Sequence, residues 1–375
     1  MKKILFISTS RADYGLLKEL ILETQKLNRE TFLLISGSHL SKEFGKTISE
    51  IKKDKIKNII QKKILDKKFK GTDISNYLIK SIKITRDVIK KLKPDVLIIL
   101  GDRYEMLGSA IAAMVFRIPI AHIHGGEITQ GALDDSIRHS ITKFSHLHFP
   151  IHEQYRKRLI QLGENPKSIF NFGGLGAHAI SKTRILKKKE LGKKLKINFN
   201  KKIILVTFHP VTLEKNESKN QIQNLIKFLN TLNDYIIIVT SPNFDNEAHI
   251  IKKELLRFVK KRENHYYFDS LGSQSYISLM KIAYLVIGNS SSGVLETPSF
   301  GTKTINIGNR QSGRIISDNI INCDYNFSSI QEAFLKVLKK SKKTSNPFFK
   351  KNTPLKIAKK ILSYKYNLKK NFYDI

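Results

Sequence analysis

The sequence predicts an α/β protein of two doubly wound domains, each a parallel sheet with helices on both faces. Three observations carry this. Short apolar runs alternate with amphipathic stretches in two series, a Lys-rich break at 182–202 separates the series, and 375 residues at roughly 150 per domain make about two domains. Residues 4–8 open the first series with a continuous apolar run, as a strand buried on both faces requires. Leu16, Leu17, Leu20, Ile21 and Leu27 follow at helical spacing. Runs at 31–35, 96–100 and 118–123 repeat the strand signal, with helical stretches between them. Beyond the break, runs at 203–208, 235–240, 266–269, 284–287 and 303–307 do so again. No repeat with a period of about 20–50 residues is present, which excludes a solenoid. Apolar periodicity from Pro354 to Leu368 predicts a terminal helix.

Composition narrows the function. The 41% hydrophobic and 26% charged residues describe a chain that folds. The net charge of +35 comes from lysine, because only 13 of the 67 basic residues are arginine, and the excess lies in runs at 52–57, 187–194 and 339–343. That pattern fits a solvated lysine surface, whereas a nucleic-acid binder concentrates arginine and aromatics on one face. We therefore expect no nucleic-acid partner. Cys323 is the sole cysteine, so no internal disulfide or cysteine-rich zinc module forms and nothing points to an oxidising compartment. Met1-Lys2-Lys3 looks like the start of a signal peptide, but its apolar run stops at Ser8 and meets Arg11 and Asp13. A cytoplasmic protein without a membrane span is expected.

Ligands of open parallel sheets sit beyond the carboxyl ends of the strands, and the segments there are unusually polar. The first strand runs into Ser8-Thr9-Ser10-Arg11-Ala12-Asp13-Tyr14-Gly15, where a dinucleotide fold would place G-x-G-x-x-G, so no nicotinamide or flavin cofactor is expected. Gly173-Gly174-Leu175-Gly176 has no dinucleotide helix after it and reads as a hinge turn. The run 96–100 ends in Gly101-Asp102-Arg103-Tyr104-Glu105, with Asp102 either aimed into a crevice or capping the next helix. His122-Ile123-His124-Gly125-Gly126-Glu127 brings a second carboxylate, and Asp134 and Asp135 open a helix, one of them as a capping acid. Carboxylates from three segments at one crevice can move protons on and off carbon and oxygen. His122, His124, His139, His146 and His148 offer a rival metal site, but alternation along strands accounts for both pairs.

The second series ends its strands in His209-Pro210 and Ser241-Pro242-Asn243. Gly288-Asn289-Ser290-Ser291-Ser292-Gly293 precedes a helical stretch at 294–300, either as an anion cradle for a diphosphate or as a plain serine cap. Glu296 can accept bonds from two ribose hydroxyls, and Arg310 in Gly308-Asn309-Arg310-Gln311-Ser312-Gly313-Arg314 can neutralise phosphate.

These motifs, with Asp134 to Lys143 and Phe208-His209-Pro210-Val211-Thr212, resemble the hydrolysing UDP-N-acetylglucosamine 2-epimerases of bacterial sialic-acid pathways. The likeness runs from the first strand to Asn371-Phe372-Tyr373-Asp374-Ile375. It implies a GT-B fold: two Rossmann-like domains at 1–178 and 179–350 with a cleft between them, and a C-terminal helix in 351–375 that crosses back to the first. The implied reaction converts UDP-N-acetylglucosamine and water into N-acetylmannosamine and UDP through 2-acetamidoglucal, with no redox cofactor and no metal. By motif position Asp102, Glu127, Asp134, Asp135, His124 and His209 are catalytic candidates. Arg11, Arg103, Arg138, Asn243, Ser290, Ser291, Glu296 and Arg310 match nucleotide-binding positions. Many relatives have E-G-G-E where this chain has His124-Gly125-Gly126-Glu127, so either His124 or Glu127 takes a proton-transfer role. The same motif accompanies other amino sugars, which leaves a diacetamido sugar of a legionaminic-type pathway as the alternative substrate. A GT-B glycosyltransferase is the rival activity. The expected partner is a small nucleotide sugar, and the expected assembly a homodimer.

Overall fold

The structure is a computed structural model that describes residues 1–40, 48–64, 74–129, 133–211, 214, 216–242, 247–340 and 344–375. It divides into two compact units. Unit 1 comprises Met1–Glu127, Asp134–Ala179 and Phe348–Ile375, and unit 2 comprises Ile128–Leu133 and Ile180–Pro347.

In unit 1 the chain runs β1 (Ile4–Ser8), α1 (Arg11–Leu27), β2 (Thr31–Ile35), α2 (Ile48–Lys53), β3 (Ile59–Gln61), α3 (Ile74–Leu92), β4 (Val96–Leu100), α4 (Tyr104–Val115), β5 (Ile120–Ile123), α5 (Asp134–Phe144), β6 (Leu147–Phe149) and α6 (Glu153–Gln161), up to α7 (Leu175–Lys182), within which the division falls. All pairings are parallel, in the order β3-β2-β1-β4-β5-β6. Every residue of β1 and β4 is buried, which is why their sequences show no polar alternation. Ile4 and Phe6 face one core layer and Leu5 and Ile7 the other, as a pleat dictates.

Unit 2 repeats the plan with α8 (Lys188–Leu195), β7 (Lys202–Thr207), α9 (Ser218–Leu229), β8 (Tyr235–Thr240), α10 (Ala248–Val259), β9 (His265–Phe268), α11 (Ser273–Ile282), β10 (Leu285–Gly288), α12 (Ser292–Leu295), β11 (Thr304–Ile307), β12 (Ile320–Cys323) and α13 (Phe327–Leu338). Its parallel sheet is ordered β12-β11-β10-β7-β8-β9. Both sheets are therefore Rossmann-like, and each reverses its winding once, between β1 and β4 and between β7 and β10. Among the described residues no helix is long and apolar enough to cross a membrane.

Two expected helices differ. The terminal one, α14 (Thr353–Ser363), stops before Leu368: Lys2 Nζ takes the carbonyls of Leu362 (2.8 Å) and Tyr364 (2.6 Å), and Tyr364 itself is extended. The stretch expected at 294–300 is one turn, α12, followed by a 3₁₀ turn at Thr297–Ser299 that contains Pro298, whose ring cannot continue the helical ladder. The glycines at 173–174 receive the returning chain: Gly174 N donates to Phe348 O (2.7 Å), and a Cβ on Gly173 would lie 2.8 Å from that of Lys350.

α14 buries Ile357, Ala358 and Ile361 in the same core as Leu17, Leu20 and Ile21 of α1. Ile357→Ala should therefore lower the unfolding free energy by about 2–4 kcal/mol, the usual cost of emptying a buried aliphatic site. Urea denaturation of the full chain measures it.

Candidate active site

In unit 1 the polar groups gather at the carboxyl ends of β1, β4 and β5. After β1, Ser10 caps α1 and Asp13 locks the turn, accepting from Thr9 N (3.1 Å), Ser10 N (2.9 Å) and both hydroxyls. This local capping box presents Arg11 in the first helical turn, half-buried.

After β4, Gly101 turns with φ +76 and Asp102 follows. Asp102 does not cap α4, since the cap residue is Arg103 and makes no side-chain cap bond. Its carboxylate instead pairs with Arg138 of α5. Arg138 is 1% exposed and ties three segments together: besides Asp102 it reaches the Glu127 carbonyl (2.9 Å) and Asp135 Oδ1 (3.4 Å). Of the two helix-opening acids, Asp135 also faces His139 Nε2 (3.5 Å), while Asp134 stands half-buried at the first helical position. Arg103 folds onto the buried Glu105 (3.1 Å) with its own side chain 38% exposed.

After β5, His124 adopts φ +69 and its Nδ1 lies 2.8 Å from Glu127 Oε1. Nδ1–H donates to that carboxylate, which leaves Nε2 as the ring atom that can gain or lose a proton, and no hydrogen-bond partner for Nε2 is present among the described residues. Gly126 has no room for a side chain, because a Cβ would lie 2.5 Å from the Tyr155 carbonyl. Behind this turn, fully buried His122 bonds the Gly101 carbonyl (2.8 Å) and Thr142 Oγ1 (3.2 Å). Burial, reinforced by neighbouring imidazoles against the pull of the Gly101 carbonyl, pushes His122 down to about 3, so it is neutral and structural. The histidines are thus spent on separate partners, His148 on Glu164 (2.9 Å), and no three metal-ligating side chains come together among the described residues.

In unit 2 the groups gather at β7 and β10. His209, 5% exposed, follows β7, and burial and then the charge of Arg310 hold its imidazole well below the ordinary histidine value, leaving it uncharged near neutrality. Ser290 Oγ lies 3.0 Å from Ser292 Oγ, which bonds Tyr276 OH (2.7 Å). Ser291 caps α12 without a side-chain cap bond. With only one turn of helix behind it, this loop offers an anion its amides, hydroxyls and Arg310, not a long helix dipole. Burial raises the Glu296 carboxyl to about 7. Asn243 lies outside the described residues. No sequence motif surrounds Tyr276, which sits within α11, whereas Asn289 lies inside a motif visible in the sequence.

The family model described as UDP-N-acetylglucosamine 2-epimerase matches residues 22–362. The chain is 44% identical to a GDP/UDP-N,N'-diacetylbacillosamine 2-epimerase (hydrolyzing) of Campylobacter jejuni, over 90% of this chain and 87% of that one. It is 37% identical to polysialic acid biosynthesis protein P7 of Escherichia coli, over 100% and 98% of the two chains. In fold it is similar to the UDP-GlcNAc 2-epimerase from Neisseria meningitidis solved bound to UDP-GlcNAc, with TM-score 0.81, 18% identity and coverage of 96% of this chain and 100% of that one.

Arg138→Met removes the guanidinium on which the three segments meet. It should cost about 1.5–3 kcal/mol, the scale of lost hydrogen bonds to charged groups, because the partly exposed Asp102 and Asp135 can rehydrate. Chemical unfolding beside wild type measures this.

Proposed function

From the premise that the chain belongs to the UDP-N-acetylglucosamine 2-epimerase family, we propose that it is a hydrolysing 2-epimerase. Its substrates are a UDP-linked 2-acetamido sugar and water, and its products UDP and the free sugar inverted at carbon 2. The observation that carries the hydrolysing type is the 44% identity to a relative named for that reaction. The same likeness favours the 2,4-diacetamido sugar as substrate. UDP-N-acetylglucosamine, leading to N-acetylmannosamine and sialic acid, is the second reading, favoured by the 37% identity to a polysialic-acid biosynthesis protein. Both sugars carry the same reacting group at carbon 2. The reading carries with it a cytoplasmic homodimer.

The chemistry balances without oxidant or reductant. A base takes the proton from carbon 2, the carbon 1–oxygen bond breaks and UDP leaves, giving a 2-acetamidoglucal. Water then adds its oxygen to carbon 1, and a proton returns to carbon 2 from the opposite face. In our assignment His124 exchanges a proton through Nε2 while Glu127 fixes its tautomer, and Asp102, held by Arg138, serves the other face with Asp134 beside it. Asp135 orients Arg138. Arg11, Ser290, Ser291 and Arg310 take the diphosphate with His209 near it, Glu296 takes the ribose, and Asn243 and Arg103 complete the nucleotide side.

Incubation with each UDP-sugar in deuterated water tests this. Free epimerised sugar with deuterium at carbon 2 is expected, with higher kcat/KM for the diacetamido substrate; unchanged sugar from both substrates rules the reading out. Asp102→Asn, which removes a proton-transfer group, and Glu127→Gln, which removes the carboxylate that holds the His124 tautomer, should each lower turnover by at least about 100-fold while UDP affinity stays near wild type. Steady-state rates within a few-fold of wild type would remove these roles.

The nucleotide side is tested by calorimetry. Ser291→Ala and Arg310→Ala should each weaken UDP by about 1–3 kcal/mol. If ribose hydroxyls donate to Glu296, binding needs its carboxylate, so wild-type affinity should be full above about pH 7 and fall as pH drops through it. Glu296→Gln should lose that dependence.

A further inference from the structure

One buried amide in unit 2, in the motif after β10, joins the motifs that follow β7 and β11. Asn289, 0% exposed, directly follows β10, which pairs with β7 so that Gly288 lies beside Thr207. Its backbone N–H donates to Thr207 O (3.2 Å). Its side chain spans the peptide groups of one residue of the neighbouring segment: Nδ2 donates to His209 O (2.8 Å), and Oδ1 accepts from His209 N (2.7 Å). Its own carbonyl accepts from Arg310 Nη1 (3.3 Å) and from the buried Gln311 Nε2 (2.9 Å). Only a carboxamide offers a donor and an acceptor in one plane to match both groups of a residue's backbone. A carboxylate lacks the donor, and an alkyl side chain leaves both groups of a buried segment unsatisfied.

We propose that Asn289 is a positioning residue that sets His209 and Arg310 in a common frame, so that the imidazole and the guanidinium meet one diphosphate leaving group together. The residue need not touch the substrate. Its side chain fixes where β7 delivers His209, and its carbonyl fixes the Arg310 loop, while the next residues in the chain are Ser290 and Ser291. The inference rests on the reading of His209 and Arg310 as groups that face the nucleotide.

The test is a pair of double-mutant cycles on the full chain, with UDP as the calorimetric probe and the deuterium exchange reaction for turnover. Asn289→Ala should weaken UDP tenfold or more, and Asn289→Ala with Arg310→Ala should bind no more weakly than the weaker single variant, because the first change already misplaces the guanidinium. Turnover of Asn289→Ala with His209→Ala should likewise be no lower than that of the slower single variant. A purely structural role would not move a third readout. The nuclear magnetic resonance titration of the His209 imidazole, depressed by burial and Arg310, should shift toward an ordinary histidine in the Asn289 variant. Should Asn289→Ala fail to fold, Asn289→Asp, which keeps the volume and the acceptor for His209 N, carries the same cycles. Fully multiplicative losses in both cycles overturn the proposal while leaving the nucleotide reading standing. If His209→Ala and Arg310→Ala are themselves silent, the reading beneath it fails and the proposal with it.

Discussion

Burial of a parallel sheet on both faces is the constraint from which the rest of this molecule follows. β1 and β4 expose no residue, so neither face has room for reactive polar groups. Polar side chains are therefore driven to the strand ends, where backbone direction aims them the same way and each sheet's reversal leaves a gap between neighbouring connections. Asp102, His124 and Glu127 in one unit, and His209 and Ser290 in the other, occupy such positions. Two repeats of one topology thus carry different chemistry, acids in the first and hydroxyls, amides and an arginine in the second.

Holding charge at those ends requires compensation. In unit 1 this falls to Arg138, whose guanidinium is nearly inaccessible and stays in place because carboxylates and a carbonyl from three segments surround it. A buried cation with one partner is costly, whereas one shared by several holds its neighbours in register. The same logic operates at the far end of α5. Burial alone would raise the Glu164 carboxyl, but His148 and Lys370 hold it down at about 2. Lys370 Nζ meanwhile lies 2.8 Å from the Lys143 carbonyl and 2.7 Å from that of Ser145. The helix whose first residues are acids is thus anchored at its last turn by the chain terminus.

Lysine excess is a property of the surface and not of these sites. Described lysines of the runs seen in the sequence, such as Lys188 and Lys189 of α8, are exposed. The two sites instead draw cationic charge from arginine, buried at Arg138 and half-buried at Arg310, whose guanidinium offers five fixed donors and keeps its charge when buried.

What the sequence determined by itself was periodicity and local chemistry: long apolar runs, the capping signal at Ser10 and Asp13, and the residues that follow each central strand. Those signals are local, so two doubly wound sheets and the family were legible without coordinates. The edge strands β3 and β12 were not, because each has only three or four residues and carries polar side chains such as Gln61 and Asn322. The helix after Ser291 looked longer than it is, although Pro298 stood in plain view. Only the tertiary structure decided which way Asp102 turns, since capping α4 and pairing with Arg138 are equally compatible with Gly-Asp-Arg. It also decided that Asn289 spans His209 and Arg310, and that α14 ends where Lys2 takes its carbonyls. In each case the deciding partner lies 21 to 362 residues away, so the energy that selects the geometry exists only once the chain has folded.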